Sequence, residues 1–582
     1  MAKSRLQYLG SYLRPHWPQA LLGVGALLSV NILAVRIPIL IGDAVDRLKI
    51  TFDQATMVRY AALIFALASI MWLIRMASRV LLFGVGRKVE FDLKQRIFEH
   101  LLSLEPAYFS ENTIGDLINR ATSDVDNIRR LLGFAVLSLA NTLFAYLITV
   151  PAMINISLRL TLVALAIYPV MLVLVRLFSE RLRRQQLDVQ QSLSDISTLI
   201  QEDMSGVALI KIYAQEANEQ RAFAQRNQDV FQANLSLAKT RNTLFPLLGG
   251  LASLSLAIIL AIGSRSIAAG TLAVGDFVTL LLYVNNLVFP TALLGFTITA
   301  YQRGEVSVDR IEAIFAAQPQ VANVEEPVRI APEEVAGHIN AQNLTYSYPG
   351  NAVPALKNVS FSINAGETVA LVGPIGSGKS TLAKALPRLL DIAPQQLFID
   401  GQDVTQVALA DLRRTIAFVP QDSFLFSTQV KNKIRYGYPQ ADMTDVEQAA
   451  KLAQIRDEIL NFPQQYDTLV GERGITLSGG QRQRTALSRA LLVDAPILIL
   501  DDALSSVDNR TATQILENLS QGTQLKTVIF ITHQMAAAAN CDRILVMDEG
   551  SIVQSGSHRE LVSQPGLYQQ LWNHHKLKET LV

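Results

Sequence analysis

ETVALVGPIGSGKST, residues 367–381, runs from an apolar strand through a glycine-rich turn into a helix that opens on lysine and serine. Its core is Gly373-x4-Gly378-Lys379-Ser380. Glycines at this spacing let successive backbone N–H groups turn toward phosphate oxygens, and the helix N-terminus behind them adds partial positive charge. Lys379 is long enough to reach β- and γ-phosphates, and the Ser380 hydroxyl suits a magnesium ion. The expected phosphate cradle is therefore Gly373, Gly376, Ser377, Gly378, Lys379, Ser380 and Thr381. A strand before this loop and a helix after it make the surrounding domain α/β.

Downstream, ILILDDALSSVD (residues 497–508) is a second apolar strand, ending in two carboxylates. Asp501 is placed to hold magnesium through water, and Asp502 to polarise an attacking water. Between the two strands lies ITLSGGQRQRTALSRALL, residues 475–492. Ser478 suits the N-cap of the helix that follows, and Gly479 and Gly480 allow another group to approach closely. This is a second anion-binding helix end in a domain whose phosphate loop is already complete. It is expected to serve a nucleotide held by another subunit.

The first half of the chain belongs to a different solvent. The protein has 582 residues, half of them hydrophobic and 17% charged. Six segments before residue 310 (about 18–42, 57–83, 131–154, 158–178, 244–267 and 271–300) are apolar and close to the roughly 20 residues a helix needs to cross a bilayer. A soluble bundle would require polar faces that stretches such as GGLASLSLAIILAIG lack. Long polar connections follow the second and fourth spans, over residues 87–130 and 179–241, and are rich in Lys and Arg. With Lys3, Arg5 and Arg14 ahead of the first span, the positive-inside tendency puts both termini and both long connections in the cytoplasm of a multi-pass protein. These connections read as helices projecting beyond the membrane, broken near FSENTIGD and DMSGVALI, with tips near 112–120 and 204–216 suited to contact another domain.

Other features narrow the field. A net charge of +1 gives no basic surface for nucleic acid, and the single cysteine, Cys541, allows neither an internal disulfide nor a cysteine-based metal site. The N-terminal MAKSRLQYLGSYLRPHW reads as a helix at the membrane interface, not as a signal peptide. Asp92, Asp116 and Arg120 read as solvated helix charges, and Arg36 and Arg75, near span ends, as snorkelling side chains. The expected division is a transmembrane domain over 1–310, a Pro- and Glu-containing linker over 311–337 and a nucleotide-binding domain over 338–582.

LSGGQRQR, with the phosphate loop before it and the Asp-ended strand after it, resembles the ATP-binding cassette. Six spans ahead of one cassette resemble a half-transporter of the exporter type, close to bacterial multidrug and lipid exporters. The resemblance implies an all-α six-span domain followed by an α/β P-loop ATPase, with ATP and Mg2+ as ligands. It implies that Tyr348 stacks on adenine and that Gln421 contacts magnesium and senses the membrane domain. Leu469–Gly474 lies near the coupling helices, Asp508 closes the loop that crosses the dimer interface, and His533 meets the γ-phosphate. Ser478, Gly479, Gly480 and Gln481 complete the opposite subunit's site. Asp502 stands where the family usually has Glu, which resembles the asymmetric branch and implies a heterodimer with one weak and one competent site; a homodimer with slower turnover is the alternative. A membrane-lipid setting and a small-molecule, lipid or peptide cargo are implied. An importer built on the exporter fold, an ATP-gated channel and a non-transport cassette ATPase are the rivals.

Overall fold

A computed structural model describes residues 5–50, 53–351, 353–471, 477–520 and 526–581. The chain divides into two compact units, one of residues 1–102 with 114–317 and the other of residues 103–113 with 318–582.

The first unit contains six long apolar helices: α1 (Gln7–Lys49), α2 (Gln54–Ser103), α3 (Ile114–Ile156), α4 (Leu158–Ser205), α5 (Glu216–Ala268) and α6 (Val274–Ala316). They run for 43 to 53 residues, or about 65–80 Å at a helical rise of roughly 1.5 Å per residue. That is about twice the hydrocarbon thickness of a bilayer, so each helix continues well past it. The reversals are short helices, Pro106–Glu111 and Val207–Ile212. The first ends at Glu111 and α3 begins at Ile114, so the break expected near FSENTIGD falls at Asn112 and Thr113, with a further break before Pro106. At the far end, α6 continues to Ala316, past residue 310.

Helices α1 and α6 meet where Gly42 faces Gly275. A Cβ on Gly42 would fall 2.2 Å from Thr279 Oγ1 and 2.6 Å from the Gly275 carbonyl oxygen. Small residues let the backbones close together, and interhelical hydrogen bonds hold them there. Thr279 donates to the Pro38 carbonyl at 3.0 Å, Tyr283 to the Val35 carbonyl at 2.9 Å, and Tyr168 of α4 to the Val284 carbonyl at 2.7 Å. The first turns of the chain, Arg5–Leu13, set off from the rest of α1 by the turn at Arg14–His16, are pinned to α6: Arg5 pairs with Glu305 at 2.9 Å and Asp309 at 2.7 Å, and the Tyr12 hydroxyl donates to Glu312.

Of the three charges expected to be solvated, Asp92 and Asp116 are in tertiary ion pairs, while Arg120 pairs within its own helix turn and reaches the Arg310 carbonyl at 3.3 Å. Asp116 binds Arg120 at 2.7 Å and Arg310 at 2.8 Å, and Asp92 binds His16 at 2.8 Å. Partners 194 and 76 residues away were invisible to helical periodicity. Arg36 and Arg75 are exposed.

The second unit holds twelve strands among the described residues: β1 Ile339–Tyr346, β2 Leu356–Ile363, β3 Thr368–Val372, β4 Leu397–Ile399, β5 Gln402–Asp403, β6 Ile416–Val419, β7 Thr428–Gln429, β8 Leu469–Val470, β9 Ile497–Asp501, β10 Thr527–Ile531, β11 Arg543–Asp548 and β12 Ser551–Gly556. The main sheet has the order β12-β11-β3-β10-β9-β6, parallel except for β12. An antiparallel sheet, β2-β1-β4-β5, forms a second layer. Strand β3 explains the continuous apolar runs. Val369 and Leu371 face the core shared with the antiparallel sheet, while Ala370 and Val372 face the core beneath the helical lobe. Strands buried on both faces carry no polar alternation. Glu105 belongs to this unit and accepts the Gln320 backbone N–H at 3.2 Å.

Candidate active site

The parallel register brings the chemistry to one edge. Strands β3, β6, β9 and β10 end together, so the loops after them adjoin at the carboxyl end of the sheet, where open α/β sheets bind ligands. Gly373 follows β3, Asp501 ends β9, Gln421 lies two residues past β6, and His533 two residues past β10.

The phosphate loop needs its glycines for two distinct reasons. Gly373, Gly376 and Gly378 have φ of +152°, +83° and +99°, values at which a side chain is strained. At Gly373 there is also no room, since a Cβ would lie 2.1 Å from the Met547 carbonyl oxygen. Beyond the loop, α7 (Lys379–Ala385) begins. The Lys379 ammonium donates to the Gly373 and Pro374 carbonyls at 2.8 and 2.7 Å and to Ser377 Oγ at 3.3 Å. It lies across the loop mouth and can exchange those carbonyls for phosphate oxygens. Burial pushes its pKa below the ordinary lysine value, while Asp501 and Asp502 pull the other way.

Ser380 donates to Asp501 Oδ1 at 3.0 Å. Asp501 is only 2% exposed. Burial raises its pKa above the usual carboxylate range, opposed by the Ser380 hydrogen bond and Lys384. A hydroxyl and a carboxylate beside a phosphate loop form a hard-oxygen donor set that fits magnesium. Gln421 is exposed at the adjoining strand end. Tyr348 packs edge-on to Tyr346 with ring centroids 5.1 Å apart, and its hydroxyl lies 3.3 Å from Thr381 Oγ1.

Asp502 adopts left-handed backbone with φ +50°, fixed by its N–H donating to the Ile531 carbonyl at 2.9 Å. Its Oδ1 lies 2.8 Å from His533 Nδ1, joining the carboxylate after β9 to the imidazole after β10. Asp508 accepts the Thr511 N–H at 2.9 Å and so caps the following helix.

The Ser478 motif sits elsewhere in the unit. It opens α8 (Gly479–Val493), which packs on β6 and on the helices Val430–Ile434 and Met443–Leu452. Ser478 Oγ accepts the Gln481 N–H at 3.2 Å and the Gln481 side chain accepts the Ser478 N–H at 2.9 Å, a reciprocal capping box. Among the described residues no hydrogen bond joins this motif to Gly373–Thr381. Leu469 and Val470 form β8, whereas Glu472–Gly474 lie outside the described residues.

One functional link escaped the sequence reading. Gln483, 7% exposed, donates to Ser505 Oγ and accepts the Ser506 N–H, both at 2.8 Å. It ties the signature helix to the loop behind Asp502. A signal existed: Gln483 shares the helix face of Ala486, Leu487 and Ala490, and a polar residue on an apolar stripe requires a buried partner.

Residues 21–291 match the family model described as ABC transporter transmembrane region, and residues 356–505 the one described as ABC transporter. The chain is 33% identical to "Multidrug resistance-like ATP-binding protein MdlA" of Escherichia coli, over 98% of this chain and 97% of that protein. It is 31% identical to "Probable multidrug resistance ABC transporter ATP-binding/permease protein YheI" of Bacillus subtilis, over 99% and 98% of the two chains. It is likewise 31% identical to "ATP-dependent lipid A-core flippase" of Syntrophus aciditrophicus, over 96% and 92%. A solved bacterial Atm1-family ABC exporter with ATP bound aligns with a TM-score of 0.78 at 27% identity, covering 97% of this chain and 99% of that one. With six membrane-crossing helices and a nucleotide-binding sheet edge on one polypeptide, this chain belongs to the ATP-binding cassette transporters of the exporter type.

Proposed function

We propose that the protein is one half of an ATP-driven exporter in the cytoplasmic membrane, with both termini and the ATPase unit on the cytoplasmic side and an amphipathic or hydrophobic cargo. The carrying observation is a mismatch within one domain. The signature motif is fully formed and box-capped at Ser478–Gln481, yet the carboxylate beside Asp501 is an aspartate held by His533. Aspartate is one methylene shorter than glutamate, a retreat of roughly 1.5 Å. A misplacement of about 1 Å costs on the order of 100-fold in rate where geometry governs the chemistry. The working assembly is therefore a heterodimer. One slow site uses this chain's phosphate loop, and one competent site is completed here by Ser478, Gly479, Gly480 and Gln481.

Within this chain's site, Lys379 and the loop N–H groups bind the triphosphate, and Tyr348 stacks the adenine. Ser380, Gln421 and Asp501 would hold magnesium, which when bound neutralises charge on the β- and γ-phosphates. Asp502 accepts a proton from the attacking water, His533 orients it, and both act poorly for want of reach. ATP captured between two cassettes favours the closed state because it binds that state more tightly. Segments 112–120 and 204–216 transmit closure to the spans. The multidrug and lipid A-core names of the relatives support export of amphipathic molecules.

Affinity purification of the tagged chain from its native membrane tests the assembly. Stoichiometric recovery of a second cassette protein with Glu at the Asp502 position is the expected result. Recovery of this chain alone as an active dimer favours the homodimeric flippase instead.

A further inference from the structure

The first unit contains a cavity of about 550 Å³ lined by five arginines, Arg129, Arg130, Arg183, Arg241 and Arg303, drawn from α3, α4, α5 and α6. No carboxylate lines it among the described residues. The acids behind the wall are already committed. Glu90 pairs with Arg87, Lys94 and Arg129; Asp126 with Arg129 and Arg130; and Glu180 with Arg183 and Arg184. Three carboxylates are thus shared among six cations. Arg241 and Arg303 have no carboxylate partner within ion-pair distance among the described residues.

The same cavity has an apolar side formed by Phe83, Phe134 and Phe296. A neighbouring cavity of about 670 Å³ shares Ser179, Arg183 and Thr299 with it and adds the aliphatic Leu172, Val175, Leu294 and Ile298 beside Arg176, Gln302 and Glu180, the last paired with Arg183 and Arg184. The Ser179 hydroxyl, between the two, is buried without a hydrogen-bond partner. A buried hydroxyl with no partner is one that a ligand can satisfy. Guanidinium groups offer planar paired donors that match phosphate, sulfonate or carboxylate oxygens. Cations in such a place repel a cationic cargo and hold an anionic one.

We propose that this cavity takes an amphiphile with an anionic oxyacid head, its charge on Arg241 and Arg303 and its apolar body among the phenylalanines and against Leu172, Val175, Leu294 and Ile298 next door. This rests on the export reading and names the chemical class of its cargo.

The test is equilibrium binding of labelled dodecyl phosphate to the full-length protein in phosphatidylcholine nanodiscs without ATP. Binding is expected to weaken at least about tenfold in the double variant Arg241→Ala, Arg303→Ala, and to fall as salt rises. Arg226→Ala, whose guanidinium pairs with Asp195 outside both cavity linings, is expected to bind as wild type. Should the alanine pair fail to fold by melting temperature, Arg241→Gln with Arg303→Gln serves in its place. Displacement by phosphatidylglycerol supports a lipid headgroup as the source of the anion, and displacement by inorganic phosphate alone supports a soluble anion. Displacement by neither, equal binding of dodecyltrimethylammonium, or wild-type affinity in the double variant overturns the proposal. Because ATP takes no part in the measurement, a failure here leaves the export reading intact, and a protein that does not transport can still bind.

Discussion

Asp502 stands in left-handed backbone at φ +50°, a conformation aspartate enters more readily than glutamate. Asp502→Glu is therefore expected to lower the melting temperature slightly while raising this site's ATP turnover by 10- to 100-fold, on the order set by about 1 Å of reach. Phosphate release by the purified heterodimer, with the catalytic Glu of the partner's own site replaced by Gln, reads the rate, and an unchanged or lower rate rejects the weak-site assignment. Asp501 carries the opposite balance. Burial holds its folded pKa above the unfolded value, so the cost to stability is full above the folded pKa, shrinks as pH falls below it and is gone below the unfolded pKa. Asp501→Asn, whose amide oxygen still accepts from Ser380, is expected to gain about 0.5–2 kcal/mol at pH 8 and to lose hydrolysis. In thermal melts across pH, the gain narrows toward acid; a variant less stable than wild type at pH 8 refutes the burial argument. These residues were legible because each follows an apolar strand at a fixed offset. Gln483 was not read, because only its partners at Ser505 and Ser506 reveal why a glutamine interrupts an apolar face.

Helix α8 concentrates two requirements in its first turn. The Ser478 cap satisfies the Gln481 N–H, so Ser478→Ala is expected to cost about 1 kcal/mol. Binding of a fluorescent ATP analogue to this chain's own phosphate loop should stay unchanged, since no hydrogen bond links the two; a large loss there contradicts the separation. Gly480 has a different constraint, since a Cβ would lie 2.8 Å from the Ser506 carbonyl oxygen. Gly480→Ala must push α8 from that backbone, and a loss of roughly 1–3 kcal/mol by denaturant titration is expected. In the other unit, the six spans were legible as runs of apolar residues, yet their ends were not. Polar helix continues the apolar helix without a break, so hydropathy stops where the bilayer does while the hydrogen-bonded backbone goes on. The first reversal was legible where helix Pro106–Glu111 ends, at Asn112 and Thr113 within FSENTIGD, whereas the earlier break ahead of Pro106 was not read.

Assembly of the transporter is open to a direct chemical test, because Cys541 is buried and its thiol is pushed up to about 12, chiefly by burial. It is unreactive at neutral pH, which leaves engineered cysteines as the reporters. Ile375 of the phosphate loop is fully exposed, and Ser478 opens the signature helix. A chain carrying both Ile375→Cys and Ser478→Cys, expressed alone with ATP, is expected to remain uncrosslinked. Ser478→Cys is expected to join a phosphate-loop cysteine on a second, different cassette subunit. Efficient crosslinking of the doubly substituted chain to itself would establish the symmetric assembly and retire the heterodimer.

What the amino-acid order settled by itself is local: the glycines that must turn at φ above zero, the strand-to-carboxylate offsets, the serine cap and six runs of residues too apolar for water. Each follows from the preferences of a few consecutive residues. Folding alone decided which distant residues became neighbours. It set β9 and β10 side by side so that Asp502 meets His533 at 2.8 Å, paired Asp116 with Arg310 across 194 residues, and gathered arginines from four helices around one cavity. Such pairings depend on strand order and helix crossing, and no short-range periodicity records them.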